Sequence, residues 1–189
     1  NAARPTPVTS IRSVRSTPWD PIAEARQNWR EAGWGDPAEG MAAVTSVMRA
    51  QQIMLGRIDA SLKPFGISFA RFELLRLLAF ARGRRMRMSR ARQVLQVHPA
   101  SVTSVVDRLE SDALVRRTPD PDDGRAVFIE LTDAGAALVH EATLVLNDQV
   151  FGSLGLSDDQ LRSLFSVLAV FREGNGDFID PRTPPPSGE

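Results

Sequence analysis

The sequence predicts a mainly α-helical fold with a small β-wing, and three observations lead to this expectation. Apolar residues recur at helical spacing through most of residues 41–172. The period then changes at two β-prone runs, 114–118 and 126–131, which are joined by a segment dense in Pro, Asp and Gly. Finally, 189 residues with 42% hydrophobic content are enough for a real core in one domain or a small pair.

The composition restricts the chemistry of the protein. The absence of cysteine excludes disulfides, thiolate metal sites and thiol-based redox sensing. No apolar run approaches the roughly 18–20 residues of a spanning helix, and no signal-peptide pattern is present. We therefore expect a cytoplasmic protein with no membrane partner.

The charge distribution matters more than the total charge. The 23 basic and 23 acidic residues give zero net charge, which taken alone disfavours a nucleic-acid partner. Residues 82–117, however, carry nine arginines against three acids, a net charge of +6. Residues 134–189 carry three basic residues against eight acids, a net charge of −5. A basic middle is therefore masked by an acidic C-terminal part.

The sequence of residues 1–81 predicts a flexible arm and three helices. Residues 1–18 contain three prolines and show no periodicity, which predicts the arm. An extra N-terminal helix within 19–40 begins at Asp20-Pro21 and ends at Gly33. A longer helix over 41–62 stops before Pro64, and Ser68 caps a third helix that is apolar on nearly all sides. The stripe of the longer helix comprises Val44, Val47, Met48, Met54, Leu55, Ile58 and Leu62.

Two helical segments follow, 89–96 and Pro99–Ser111. In the second, Val102, Val105, Val106 and Leu109 form one inward stripe. The β-prone runs then predict a hairpin, and Thr132 and Ser157 cap two last helices, over 132–151 and from 158 to about 172. We expect residues 173–189 to be disordered. The outer face of the second segment is short and polar: Ala100, Ser101, Thr103, Ser104, Asp107 and Arg108.

This order of elements is that of a winged helix-turn-helix, and its chemistry suits double-stranded DNA. A helix that enters the major groove needs short hydrogen-bonding side chains, which Ser101, Thr103 and Ser104 supply. An arginine at the wing tip, Arg125, can reach the minor groove, and flanking arginines such as Arg90 can neutralise phosphates. The alternative is a helical scaffold whose Ser/Thr face is merely solvated.

Four joined motifs resemble the MarR family of bacterial transcriptional regulators. They are S-V-T-S-V-V-D-R-L-E at 101–110, L-V-R-R at 114–117, D-D-G-R at 122–125 and L-T-D-A-G at 131–135. The resemblance covers about residues 41–172 and implies an intertwined α-helical homodimer. Segments 41–64 and 132–172 would form the dimer, and 66–131 would be the DNA-binding lobe.

The resemblance also implies a set of DNA-contacting residues. Asp107 is expected to pair with an arginine rather than to read bases. Gly124 replaces an arginine of the wing motif, and Ala113 replaces a glycine, so we expect no left-handed turn there. The expected DNA-binding residues are Arg90, Pro99, Ala100, Ser101, Thr103, Ser104, Arg108, Arg116, Arg117, Asp123 and Arg125.

An effector site is a further implication of the resemblance. Trp29 is similar to a tryptophan on the extra helix of the urate-responsive subgroup, and Glu73 matches its acid. Phe80 and Ser104 occupy the positions of that subgroup's ligand arginines, so urate is not supported. Simple docking of Trp19, Trp29 and Trp34 on the dimer remains the alternative. Candidate residues for a small aromatic or anionic effector are Trp29, Gln52, Phe72, Glu73, Leu75 and Arg76, each of which could equally be ordinary core or surface.

These observations together predict a dimeric, ligand-responsive repressor that binds a pseudo-palindromic duplex. No enzyme motif appears, and we expect neither a cofactor nor a metal. The acidic turn 120–124 lacks calcium ligands at the fifth and twelfth positions, and two histidines alone cannot build a zinc site. The remaining alternative is a winged-helix protein-interaction module without specific DNA binding.

Overall fold

The computed structural model describes residues 17–95, 99–120 and 126–179, without the side chains of Pro99 and Ala100. It is mainly helical with a small antiparallel sheet, as predicted. The predicted arm and tail lie largely outside the described residues, although the last helix continues through Glu173 to Gly174. The elements are α1 Pro21–Glu31, α2 Ala38–Leu62, α3 Phe69–Phe80, β1 Arg85–Arg87, α4 Met88–Val94, α5 Pro99–Ser111, β2 Val115–Pro119, β3 Val127–Leu131, α6 Asp133–Gln149 and α7 Asp158–Gly174.

The helices begin at the side-chain caps that the sequence predicts. The Asp20 carboxylate accepts from the Ile22 N–H at 2.9 Å, and the Thr132 hydroxyl accepts from the Gly135 N–H at 3.0 Å. Ser68 caps α3, and Ser157 forms the predicted capping box at α7. Each cap satisfies a backbone donor that has no partner within its own helix, so the helix starts are determined locally.

The sheet has three strands rather than the predicted two. Their order is β1-β3-β2, all antiparallel, with Arg87 opposite Phe128 and Thr118 opposite Phe128 on the other side. The sequence expectation missed β1 because its three residues, Arg-Met-Arg, show no apolar alternation and lie beside a glycine break. The wing, defined here as β2, β3 and the segment between them, is therefore tied to the chain just before α4.

The core lies where α3, α5, α6 and the sheet meet. The inward stripe of α5 is confirmed, since Val102, Val106 and Leu109 are completely buried and Val105 is half-buried. Their partners include Leu74 and Leu78 of α3, Ile129 of β3 and Leu146 of α6. Burial of this stripe fixes the rotation of α5 about its axis, and its polar side is left facing outwards.

The end of α5 corrects one expectation. Ala113 has φ +55°, so the turn is left-handed although the residue is not glycine. The Leu114 N–H donates to the Leu109 carbonyl and the Ala113 N–H donates to the Glu110 carbonyl, each at 2.9 Å. This is the Schellman pattern that ends many helices, and it requires a left-handed residue at that position. Its hydrogen bonds and the burial of Leu114 outweigh the steric cost to alanine.

The start of α6 packs directly on that turn. The Thr132 hydroxyl lies 2.9 Å from the Ala113 carbonyl oxygen and 3.0 Å from that of Leu114, besides capping α6. A Cβ placed on Gly135 would lie only 2.1 Å from the Leu114 carbonyl oxygen, so only glycine allows this approach. The end of α5 and the start of α6 thus share one tight junction.

Two helices carry apolar faces that this chain leaves exposed. The chain divides into two compact units, Asn1–Phe151 and Gly152–Glu189. In the first, the α2 stripe is buried only at Ile58 and Leu62, while Val44 and Met48 are 60% and 58% exposed. In the second, Phe165 and Phe171 of α7 are 70% and 66% exposed. Among the described residues, no helix combines the length and the apolarity needed to cross a bilayer.

Candidate nucleic-acid interface

The outer face of α5 carries the predicted short polar side chains. Ser101, Ser104, Asp107 and Arg108 are exposed, and Thr103 is half-buried at one flank. Pro99 and Ala100 form the first turn of the same helix. The exposed face is therefore narrow and hydrogen-bonding, which is what a helix needs to lie in the major groove of DNA.

A basic groove runs along the flank of α5 that faces the wing. It encloses about 530 Å³ between α4, α5 and the wing strands. The Arg92 guanidinium donates to the Thr103 hydroxyl at 3.4 Å, which joins α4 to α5 across the groove. The groove is lined by Arg87, Met88, Ser89, Arg92, Thr103, Arg117, Ala126 and Val127. Arg87 and Arg92 were not among the predicted contacts.

The opposite flank of α5 has a smaller polar depression of about 260 Å³. Ser101, Ser104 and Arg108 line one wall, and Ser68 and Arg71 at the start of α3 line the other. Arg71 also pairs with Asp112 at 3.3 Å. Sequence reasoning missed Arg71 because it precedes Ser101 by thirty positions, and only packing of α3 against α5 brings the two together.

Arg117 connects the wing to α5. Its guanidinium lies 2.5 Å from the Asp107 carboxylate and also pairs with Glu110, whose other oxygen accepts from the Arg117 N–H at 3.0 Å. Partial burial lowers the pKa of Arg117, but the bonds to Asp107 and Glu110 outweigh it and raise the pKa overall. The expectation that Asp107 pairs with an arginine is confirmed. Arg117 is thus held within the protein.

The other predicted arginines are more accessible. Arg116 is 70% exposed and donates to Glu130 at 2.8 Å, and this hydrogen bond is the main reason why the pKa of Glu130 is lowered. Arg90 lies exposed on α4 and donates to Gln93 at 3.3 Å. Both guanidinium groups are open to solvent, although Arg116 is paired with Glu130, whose side chain is only 16% exposed. Asp123 and Arg125 lie outside the described residues.

The candidate effector residues separate into different surroundings. Phe72 and Leu75 are buried in the core, Gln52 is exposed on α2 beside Arg49, and Trp29 packs edge-to-face on Trp34 with ring centroids 5.2 Å apart. Glu73 and Arg76 are both half-buried and lie three positions apart on α3. The candidates therefore occupy separate surroundings, and these two are the polar ones that share a helix.

The half-buried positions of Glu73 and Arg76 affect the pKa of both side chains. Burial raises the pKa of Glu73 and lowers that of Arg76. The Arg76 guanidinium donates to the Val139 carbonyl at 2.8 Å and to the Thr143 hydroxyl at 2.6 Å, both on α6. Within the described residues its Nε is buried without a hydrogen-bond partner.

Comparison with known proteins identifies the family. The MarR family profile matches residues 65–126, which include α3, the helix-turn-helix and the first wing strand. Sco5413, a MarR family transcriptional regulator from Streptomyces coelicolor, is 42% identical in sequence, with a TM-score of 0.67. The match covers 75% of this chain and 99% of that one. The chain belongs to the MarR family.

Two further relatives agree with this assignment. Sco3205, a MarR family regulator from the same organism whose structure is a complex with DNA, is 25% identical with a TM-score of 0.65, over 80% of this chain and 93% of its own. The transcriptional regulator PecS of Dickeya dadantii is 29% identical over 121 residues, 63% of this chain and 72% of PecS. This MarR-family chain is therefore a DNA-binding transcriptional regulator. Its likeness to the urate-responsive subgroup stays a prediction.

Proposed function

We propose that this MarR-family protein is a homodimeric repressor that binds a pseudo-palindromic site in double-stranded DNA and is released by a small-molecule effector. The observation that carries the proposal is the narrow polar face of α5. It is held outwards by a stripe of which Val102, Val106 and Leu109 are fully buried, and it is flanked by arginines on both sides. Because its target is the chromosome, we expect the protein to act in the cytoplasm.

The dimer is supported by the apolar faces that one chain leaves uncovered. Large apolar side chains rarely stay exposed in such numbers on a monomer, and burial contributes roughly 25 cal/mol per Å². In a two-fold dimer the two α5 helices would enter successive major grooves about one helical turn, roughly 34 Å, apart. The residues concerned are Val44, Val47, Met48, Ile53, Met54 and Leu55 of α2, and Leu164, Phe165, Val167, Val170 and Phe171 of α7.

Within the DNA site we assign different roles to different residues. Ser101 and Ser104 read base edges because they are short and exposed at the leading half of α5. Arg90, Arg108 and Arg116 neutralise phosphates because they are exposed and basic. Arg117 positions the wing rather than contacting DNA, and the assignment of Asp123 and Arg125 to the wing tip rests on sequence alone.

The effector is proposed to bind beside Glu73 and Arg76. A small aromatic or anionic molecule could hydrogen-bond to Arg76 and bridge α3 of the DNA lobe to α6. It would weaken DNA binding only if its affinity differs between the DNA-bound and the released conformation. Selection of bound sequences from randomised duplex, repeated with a panel of small acids, would identify both the operator and the effector.

The deciding experiment is the salt dependence of binding to a selected duplex. Many phosphate contacts predict a loss of about 10³-fold or more in affinity between 50 and 200 mM salt. Arg116→Ala should weaken binding to all sequences and reduce the log–log slope by about one, whereas Ser104→Ala should alter sequence preference with little change in slope. The protein-interaction alternative predicts no binding to any duplex, and that result would overturn the proposal.

A further inference from the structure

Asp120 is the one charged residue that is buried in the part of the chain that the structure describes. It is the last described residue before the loop of the wing, and its side chain is only 1% exposed. A buried carboxylate is tolerated when an opposite charge compensates it. Arg87 supplies such a charge, since its guanidinium lies 2.6 Å from the Asp120 carboxylate. Neither residue belongs to the predicted DNA-contacting set.

The Arg87–Asp120 pair reaches across the central strand of the sheet. Arg87 ends β1 immediately before α4, and it stands opposite Phe128 of β3. Asp120 follows the outer strand β2, and its N–H donates to the Ala126 carbonyl at 3.0 Å, which closes the base of the loop. The Arg87 guanidinium also lies over the Phe128 ring, 5.7 Å from its centroid. Two outer strands that never touch are therefore joined by a side-chain bridge.

The bridge adds a side-chain attachment to the wing beside its backbone pairing. Backbone pairing holds β2 against β3 as far as Pro119, which stands opposite Val127, and Arg117 ties the middle of β2 to α5. The ion pair of Asp120 with Arg87 acts one residue beyond the last paired residue of β2, so it fixes the end of that strand relative to the start of α4.

We propose that Arg87 and Asp120 are a positioning pair that sets the direction of the wing relative to α4 and α5, and so determines how much the wing contributes to DNA binding. The inference rests on the proposed function. It adds two residues that act through the wing without needing to touch DNA themselves. It also explains why an acid is kept inside a basic surface, where it would otherwise weaken attraction to phosphate.

A direct role of Arg87 is the competing explanation. Arg87 is half-exposed beside the basic groove, so it could bind a phosphate. The two explanations predict opposite effects for Asp120→Asn. If Arg87 binds phosphate, neutralising Asp120 frees Arg87 and leaves affinity unchanged or higher. If the pair positions the wing, the same change weakens binding.

The test is fluorescence anisotropy on a selected duplex with the full chain, using Arg87→Met and Asp120→Asn with and without Arg125→Ala. We expect each single variant to weaken binding about 10-fold and to lower the log–log salt slope by about one. In the Arg125→Ala background each should change affinity less than about 2-fold, because the wing contact is already lost.

Arg84→Met is the control, since Arg84 is exposed and pairs only with the fully exposed Asp133 within the described residues. Its effect should be the same in both backgrounds.

The outcomes separate this inference from the proposed function. If the wild type binds no duplex, the proposed function fails. If Arg125→Ala weakens binding but Asp120→Asn leaves affinity unchanged or higher, the positioning role is overturned while DNA binding stands. Circular dichroism checks folding, and if Asp120→Asn does not fold, Arg87→Lys replaces it. That variant keeps the charge but moves it, and should weaken binding only while Arg125 is present.

Discussion

Replacing Ala113 by glycine should stabilise the protein. Ala113 has φ +55°, a region that costs a residue with a Cβ roughly 1–2 kcal/mol. Glycine avoids this cost but loses about 0.5–1 kcal/mol more backbone entropy on folding. The Schellman hydrogen bonds are made by the backbone and stay in place. The balance is a gain of about 0.5–1 kcal/mol in the free energy of unfolding.

The assay is urea unfolding followed by circular dichroism at one fixed protein concentration, because the stability of a dimer depends on concentration. For a chain of this size the gain corresponds to an increase in Tm of roughly 1–4 °C. Ala137→Gly is the matched control. Ala137 is exposed inside α6, so the same substitution should lower stability by about 1 kcal/mol.

A result in which both variants lose stability equally would refute the reasoning, because it would mean that Ala113 bears no left-handed strain. DNA affinity should be unchanged in Ala113→Gly, since the substitution leaves the outer face of α5 untouched. A loss of affinity would indicate that the backbone turn at Ala113 also affects DNA binding.

Three other predictions follow from particular contacts. Gly135→Ala should destabilise by more than about 2 kcal/mol in urea unfolding, because its Cβ would meet the Leu114 carbonyl at 2.1 Å, whereas Gly174→Ala meets nothing and should be nearly neutral. Arg117→Ala should weaken DNA binding in anisotropy titrations without reducing the salt slope; a reduced slope would make Arg117 a phosphate contact. Burial raises the pKa of Glu73 above 4.5, so ionisation costs stability as pH rises beyond that value. Thermal scans should therefore show Glu73→Gln more stable than wild type above pH 4.5, with the difference vanishing below it.

The helices could be predicted because their determinants are local. Asp20, Thr132 and Ser157 lie within three residues of the donors they cap, and the α5 stripe repeats every three or four residues. Such signals are complete within a short segment of sequence. The same is true of the polar face of α5, which follows once the buried stripe is known.

The features that could not be predicted depend on contacts between distant segments. β1 forms because its backbone pairs with β3, and the sequence Arg-Met-Arg gives no indication of that pairing. The left-handed Ala113 is stabilised by the burial of Leu114 and by Thr132, nineteen positions away. Arg71 and Arg87 reach the site only through packing of α3 and the sheet. Nothing in the acidic run 120–123 marks Asp120 as a buried residue.

Because the end of α5 and the start of α6 are packed tightly together, a rotation of α6 also moves the end of α5. The 17 residues of α6 span about 25 Å at 1.5 Å per residue, and its first turn is fixed to the Leu114 carbonyl without space for a single methyl group. A tilt of about 5° at the far end of such a rod displaces the junction by about 2 Å. That distance is about four times the roughly 0.5 Å range of hydrogen-bond lengths. The contact of Gly135 with Leu114 thus makes the position of α5 sensitive to small rotations of α6.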